Sequence, residues 1–441
     1  MRLVRTLVLG AALLFVVACS QSGRRIIYVS DYIPEAADAP DSIRAFESAI
    51  ADAVSVKGST LVLPDCKFGL GFGFSVSGAR DLVIDGNGTS VPGIEISSSR
   101  NVTVENTVLR GEVSSSDSRG VVLRNNFQVG RDDIVYPDPS SLQGNPLVTS
   151  IYTADPSAHV FGDTLYVYPS HDEEIGKGFN MKDYHCFSTV DMVHFEDRGV
   201  IFSPFEQTSW AKEQAWAPDC VERNGKYYLY YPTDTRHIGV AVSDSPTGPF
   251  VDPLGNPLLS IDSPGVLCDR DFIDPAVFVD DDGQAYMFVG QNTMCCIKLN
   301  EDMISYDGQV HIIEGLHEFF EASWMHKYNG KYYLSYSNSP FTGHRTQIAY
   351  AMSDNPLGPY EYKGIVLDPV SCGTNHHSIV EFQGQWYIFY HTADLSRNRK
   401  LHPSRKPSVC RSICADKLYY NDDGTIQKVH KTRNALKINA K

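Results

Sequence analysis

The 441-residue sequence has no paired CxxC motifs, no excess of lysine and arginine, and no apolar run long enough to cross a bilayer. The first absence argues against a structural zinc site, whose ligands come in closely spaced pairs. The second argues against nucleic acid as a partner. The 38 Lys and Arg are outnumbered by 53 Asp and Glu, a formal net charge of −15, and a phosphate-binding surface needs clustered cations. That balance suits a neutral ligand. The longest N-terminal apolar run, Leu7 to Ala18, is too short to span a membrane. Apart from Cys19, the cysteines are Cys66, Cys186, Cys220, Cys268, Cys295, Cys296, Cys372, Cys410 and Cys414, an odd number that leaves at least one unpaired if all bridges are internal. The vicinal Cys295–Cys296 and the Cys410/Cys414 spacing read as small buried apolar residues rather than a site. What is present is an ordinary soluble composition, 42 % hydrophobic and 21 % charged, long enough for two domains. Aromatics reach 11 % and recur in Tyr-rich strands such as "GKYYLYY" and "GKYYLSY".

Arg2 and Arg5 precede the N-terminal apolar run, which ends in "VVAC". This resembles a bacterial lipobox and implies a lipoprotein signal over residues 1–19, with Cys19 as the lipidated residue. An ordinary signal peptide with an incidental cysteine is the alternative. The following "SQSGRR" lacks Asp in second position and any acidic run. An outer-membrane anchor facing the periplasm is therefore the expectation, with surface display left open.

Residues 24–134 are β-branched and rich in Ser, Asn and Gly. An amphipathic helix fits Ser42 to Val54, with Ile43, Phe46, Ile50 and Val54 on one face. Four apolar triplets follow, starting at Leu61, Leu82, Val102 and Val121, at intervals of 21, 20 and 19 residues. A period near twenty, with Asn87, Asn101, Asn106, Asn125 and Asn126 in turn positions, indicates a solenoid. No leucine-rich L-x-x-L-x-L pattern is present. The segment, with "GSTLVLP" and "SRNVTVENTVLRG" after its helix, resembles the start of a right-handed parallel β-helix. It carries no cluster of acids or bases that looks catalytic.

Residues 135–144, within the Pro-, Ser- and Gly-rich "VYPDPSSLQGNP", form a linker. Over residues 145–431 five segments then align, beginning at Asp155, Ala217, Asp274, Glu321 and His376. Each is an apolar strand, a Gly turn and an aromatic strand, hence a β-hairpin. The phrases "VAVSDSPTGPF" and "YAMSDNPLGPY" recur between them. The spacing gives room for four strands per unit, so the expected fold class is all-β: a five-bladed β-propeller after a short parallel β-helix segment, with residues 432–441 as a tail. Asp155, Asp274 and Glu321 fall at the start of innermost strands, so three carboxylates should converge on one mouth of the axial channel. Asp280, Asp281 and Asp282 should lie in water at the far turn. Converging carboxylates push their pKa values apart, which allows acid-assisted glycoside cleavage.

The phrases "TADPSAHVF", "AWAPDCVERNGKYYLYY", "FIDPAVFVDDDGQAY", "FFEASWMHKYNGKYYLSYS" and "NHHSIVEFQGQWYIFYH" resemble glycoside hydrolase family 43 from Asn145 to about Lys431. That resemblance implies Asp155 as general base, Glu321 as general acid and Asp274 as the residue that tunes and orients the acid. Fructoside-cleaving propellers carry W-M-N-D-P-N-G where this chain reads "YTADPSA", which disfavours them. Trp216 is a candidate sugar-stacking residue, with a core role as the alternative. His376 matches the family's Gly-His-x-Ser phrase with Asn375 in place of Gly, the adjacent His377 being the alternative. The family's histidine often contacts calcium. No metal is assigned here, but calcium near His376 is left open as a structural ion, and no cofactor is required. Arg411, in "VCRSICADKLYY", resembles the arginine that hydrogen-bonds sugar hydroxyls, a surface role being the alternative.

The resulting expectation is a monomeric, periplasm-facing lipoprotein that releases terminal xylose or arabinose from oligo- or polysaccharides by an inverting acid/base mechanism. Two alternatives stay open, an exo-galactosidase of the same family and a non-catalytic carbohydrate-binding lipoprotein.

Overall fold

The computed structural model describes residues 25–33, 39–64, 70, 72–87, 89–124, 126–128, 144–268, 270–339, 346–370, 372–397, 399 and 401–432. The expected signal with Cys19, the linker except Gly144, Cys66, Asn125 and the tail beyond Thr432 lie outside them. No described helix is long and apolar enough to cross a membrane. The chain divides into two compact units, residues 1–135 and 136–441.

In the first unit, short strands stack in parallel, and those of the earlier coils bury apolar side chains such as Leu61, Val76, Ile84, Ile96 and Val104 between the sheets. Ile26–Tyr28, Thr60–Val62, Val83–Asp85, Thr103–Glu105 and Val122–Arg124 form one sheet. Phe74–Ser77, Ile94–Ser97 and Val113–Ser116 form a second. Ser90–Val91, Val108–Leu109 and Phe127–Gln128 form a third. The chain visits the three sheets in turn, the pairing a solenoid requires. Asn87, Asn101 and Asn106 adopt left-handed φ of 45°, 54° and 54°, a conformation asparagine tolerates in turns.

Two details differ from the expected pattern. Leu61 pairs with Ile84, not Leu82, so the first interval is 23 residues; the extra chain includes Leu70, which is also buried. The helix spans Ala39–Ser55, and its buried stripe is Phe46, Ala49 and Ala53, with Ile50 and Val54 on the flank and Ile43 exposed. Alanines let the helix approach the sheets closely, which rotates the larger residues outward.

The second unit is a five-bladed propeller. Four blades have four antiparallel strands each, with innermost strands Tyr152–Phe161, Asp219–Arg223, Ala276–Val279 and Phe319–Tyr328. Among the described residues the fifth has three strands, His377–Phe382, Gln385–Thr392 and Ser412–Leu418. The missing edge is covered by the chain entering blade one, since Leu147 N–H donates to Ile413 O at 2.8 Å and Thr153 N–H to Arg411 O at 2.9 Å. Asn145 completes the closure by exchanging two hydrogen bonds with the Ala415 backbone, both 2.9 Å. This caps an otherwise open sheet edge.

The aromatic strands explain why the blades stay together. Five apolar clusters each fill the space between two neighbouring blades, for example Val167 and Phe187 of blade one against Phe382 and Phe389 of blade five. Around the axis, each pair of adjacent inner strands is also tied by a hydrogen bond. Asp219 accepts from Ser157 Oγ at 2.6 Å and from Val277 N–H at 2.5 Å, and Asp274 accepts from Ala322 N–H at 3.0 Å. Trp324 Nε1 donates to Ile379 O at 2.9 Å, and Ala158 N–H to Ser378 Oγ at 3.1 Å.

Asp280 departs from the expectation of a simply solvated turn. It accepts from Lys327 Nζ at 2.8 Å and Tyr332 OH at 2.6 Å, joining blades three and four. Asp281 and Asp282 are exposed, as expected.

Candidate active site

Asp155 and Asp274 each stand immediately before a proline and hold left-handed backbone, φ 48° and 60°. In blade four the left-handed residue is Ala322, φ 60°, not Glu321. The registers agree. Blade one skips between Ala154 and Ser157, and blade four between Glu321 and Trp324. Glu321 therefore occupies the position of Ala154, one residue before the equivalent of Asp155. A bulge of this kind bends the strand and re-aims its side chains, and left-handed non-glycine residues concentrate at functional sites.

All three carboxylates are buried, 6 % exposed for Asp155, 5 % for Asp274 and 8 % for Glu321. They nevertheless sit in unlike surroundings. Asp155 Oδ1 accepts from Arg411 Nη1 at 2.7 Å, and Oδ2 accepts from Ser170 Oγ at 2.8 Å. Burial raises the pKa of Asp155, but Arg411, His376, His391 and the Ser170 hydroxyl outweigh it and hold the group down to about 2. Glu321 accepts a single side-chain hydrogen bond, from Gln291 Nε2 at 2.7 Å. Burial, with the charge of Asp155, pushes Glu321 up to about 7 against the opposing Gln291 bond. Burial also raises Asp274 well above the usual carboxylate range, reinforced by Glu321 and Asp155. Asp274 and Glu321 titrate as a pair that keeps a proton into the neutral range. The site thus holds an ionised carboxylate beside a protonated carboxylic acid at one pH.

His376 lies between the acids, with Nδ1 3.7 Å from both Asp155 Oδ1 and Asp274 Oδ2. Burial lowers its pKa to about 4, so the ring is neutral. His377 points away and bonds Ser335 Oγ at 2.6 Å. The ambiguity between the two histidines therefore ends with His376 at the acids.

Residues 143–426 match the family model of glycosyl hydrolases family 43. The chain belongs to this family. It is 39 % identical over 342 residues to a xylosidase/arabinosidase of Humicola insolens, covering 64 % of this chain and 98 % of that one. It is also 39 % identical over 333 residues to a xylosidase/arabinosidase of Bacteroides ovatus, covering 64 % and 95 %. Among solved structures, an α-L-arabinofuranosidase of Clostridium thermocellum is 44 % identical with TM-score 0.57, covering 66 % of this chain and 98 % of that one. A β-xylosidase/α-arabinofuranosidase from a compost metagenome, in complex with xylotriose and calcium-free, is 39 % identical with TM-score 0.57, covering 65 % and 97 %.

In this family 43 enzyme Arg411 is not open to a ligand as the resemblance implied. Its side chain is 2 % exposed. Nε and Nη2 each donate to Asp172 at 3.0 Å, Nη1 donates to Asp155 and to Thr374 Oγ1 at 3.1 Å, and Nη2 also faces Met181 Sδ at 3.9 Å. Every N–H of the fork has a partner, so Arg411 reaches the site through Asp155. Trp216 is half-buried, and its Nε1 donates to Phe179 O at 3.0 Å.

Sequence reasoning missed four supporting residues. Ser170 and Asp172 end the second strand of blade one, two residues apart and hence on one face. Gln291 holds Glu321. His391 Nδ1 accepts the Asp155 backbone N–H at 3.0 Å, which places the ring proton on Nε2, 3.1 Å from Thr374 O. The available signal was polar residues closing otherwise apolar strands, as in "YVYPSHD" and "YIFYHT".

Calcium takes six to eight oxygens. The carboxylate oxygens facing His376 are already engaged by Arg411 and the Ala322 N–H. Among the described residues, no group of three acidic, histidine or cysteine ligands includes His376. The side chains around His376 do not by themselves make a calcium cage. The eight described cysteines are all free; seven are buried and Cys268 is half-buried.

Proposed function

We propose that this glycosidase removes terminal xylose or arabinofuranose units from plant-type glycans with inversion, Asp155 acting as base and Glu321 as acid. The observation that carries the roles is the split between the acids: Asp155 held down to about 2, Glu321 pushed up to about 7. An ionised Asp155 can take a proton from water while a protonated Glu321 gives one to the leaving oxygen. Arg411, Ser170 and His391 keep Asp155 ionised and fixed. Asp274 acts through Glu321, as a buried carboxyl whose titration is tied to that of the acid. His376, neutral and between the acids, is positioned to contact a sugar hydroxyl. The choice of sugar follows relatives called xylosidase/arabinosidase. Terminal action is supported by the loop of residues 173–182, which stands against Trp216 and Arg411.

The direct test is release of 4-nitrophenol from aryl β-xyloside, α-L-arabinofuranoside and β-galactoside. Turnover of either of the first two supports the reading. Preference for the galactoside would favour the exo-galactosidase alternative, and no release from any, with sugar binding intact, would make the protein a carbohydrate-binding module. Glu321→Gln should hurt an activated aryl substrate much less than xylobiose, because a good leaving group needs little protonation. Equal losses on both substrates would remove Glu321 from the acid role.

The pH profile follows with a definite sign. Asp155 is depressed, so the base is competent at every pH above about 2. Glu321 is raised, so the acid is competent below about 7, and kcat/KM should fall as pH rises through that value. Asp274→Asn removes the carboxyl that titrates together with Glu321 and should move this alkaline limb to lower pH. An unmoved limb would make Asp274 merely structural. Any bound calcium is proposed to be structural, so a chelator should lower activity partly or not at all.

We also propose, from the "VVAC" motif, that Cys19 carries lipid and anchors the enzyme to the outer membrane facing the periplasm. Cys19→Ser should release the protein from the membrane fraction. Retention of that variant would contradict the anchor.

A further inference from the structure

Away from the three acids, His171, Asp183 and His185 bring ligand atoms within 4.8 Å of one another, the one such group among the described residues. His171 and His185 lie on the antiparallel strands Thr164–Asp172 and Tyr184–Thr189 of blade one, and Asp183 directly precedes the second. Alternation along the strand places His171 on the face opposite Ser170 and Asp172, the residues that hold Asp155 and Arg411.

The geometry of the cluster is that of a ligand set. Asp183 Oδ1 is 2.7 Å from His171 Nδ1 and 4.0 Å from His185 Nε2. His185 Nδ1 lies 3.0 Å from Asp197 Oδ1. An ionised carboxylate only accepts, so the proton between His185 and Asp197 sits on Nδ1, and Nε2 is the ring atom turned toward Asp183. An imidazole nitrogen and a carboxylate oxygen that face each other at 4.0 Å, too far for a hydrogen bond, leave a place for a cation between them. A carboxylate on the far nitrogen is also the outer partner that orients metal-bound histidines. The side chains of His171, Asp183 and His185 are 16 %, 21 % and 12 % exposed, which gives an ion a path from solvent.

We propose that His171, Asp183 and His185 form a divalent transition-metal site, oriented by Asp197, that pins the base of the loop beside the active site. Two imidazoles and one carboxylate suit zinc, with a fourth position left for water. On binding, the ion takes the place of the proton that His171 Nδ1 shares with Asp183. That proton passes to solvent, and nothing is oxidised or reduced. The loop runs from Glu173 to Lys182 and is closed by Glu173 N–H donating to Asn180 O at 3.0 Å. It carries Phe179, whose ring centre is 5.0 Å from the Arg411 guanidinium and whose carbonyl holds Trp216. Fixing both ends of this loop steadies the groups packed on Arg411. This link to turnover rests on the roles given above to Arg411 and Asp155, whereas the metal site does not.

The test is a calorimetric titration of the chelator-stripped full chain with zinc, repeated with cobalt for its visible spectrum. One equivalent should bind, and the d–d bands should appear without a thiolate charge-transfer band. His171→Ala and His185→Ala should each abolish that equivalent. Asp197→Asn, which leaves all three ligands in place, should weaken it by about 10–100-fold. No binding, binding unchanged in both histidine variants, or a thiolate band would overturn the site. A zinc-dependent change in KM for an aryl glycoside, lost in His185→Ala, is expected from the loop. Binding with an unmoved KM would refute the pinning while leaving the metal site in place. A chain that turns over no aryl glycoside but still binds zinc would fail on the catalytic reading alone.

Discussion

Asp155→Asn should lower kcat on every substrate by at least about 10²–10⁴-fold, the range a positioned general base contributes. The amide cannot accept a proton from water, and no other described carboxylate can take over. Asp274 and Glu321 keep a proton into the neutral range, and Asp172 is wholly occupied by the Arg411 fork. Because the base acts on water and not on the leaving group, an activated aryl substrate should not rescue this variant, in contrast to Glu321→Gln. KM should change little. Steady-state kinetics on an aryl glycoside and on xylobiose check this, and rescue by the better leaving group would contradict the role.

Arg411→Met should produce the largest loss of stability of any single change at the site, about 3–5 kcal/mol, because it strands buried anions without their partner. Asp172 is fully buried and paired to Arg411 at three atoms, two of the guanidinium and the backbone N–H. Asp155 would lose the strongest of the charges that keep it ionised, so the acid limb of the pH profile should move up. Arg411→Lys keeps the charge but not the planar fork that engages two carboxylates, and should recover only part of the stability. Urea unfolding of the three proteins measures the difference. A loss near zero in Arg411→Met would mean that the buried network contributes little.

The propeller was legible because its repeat writes the same phrase five times, an apolar strand, a Gly turn and a Tyr-rich strand. Apolar blade faces need aromatic volume between them, and five interblade clusters use it. The closure of blade five was not legible. It depends on Asn145 and Leu147 meeting strand Ser412–Leu418 from the other end of the unit, and no local pattern encodes so distant a pairing. Asp155 and Asp274 were found by position. Glu321 was found one residue off its true equivalence, since a bulge changes register without leaving a mark in composition. Arg411 was picked out, yet its use as a partner of Asp155 and Asp172 appears only when all five N–H groups are followed to their acceptors. In the first unit the period was visible, but the first interval and the buried helix face were not. Small residues such as Ala49 and Ala53 decide that face, and hydrophobicity alone ranks them below Ile43.

The most direct test of the account is proton NMR of the first-formed sugar during hydrolysis of an aryl β-xyloside or α-L-arabinofuranoside. Inverting enzymes hold their two carboxyl groups about 6.5–9.5 Å apart so that a water fits between base and sugar, whereas retaining enzymes hold them at about 5–5.5 Å. With Asp155 as base and Glu321 as acid, the inverted anomer should appear first and then mutarotate. Initial accumulation of the retained anomer would contradict the account and make Asp155 a nucleophile.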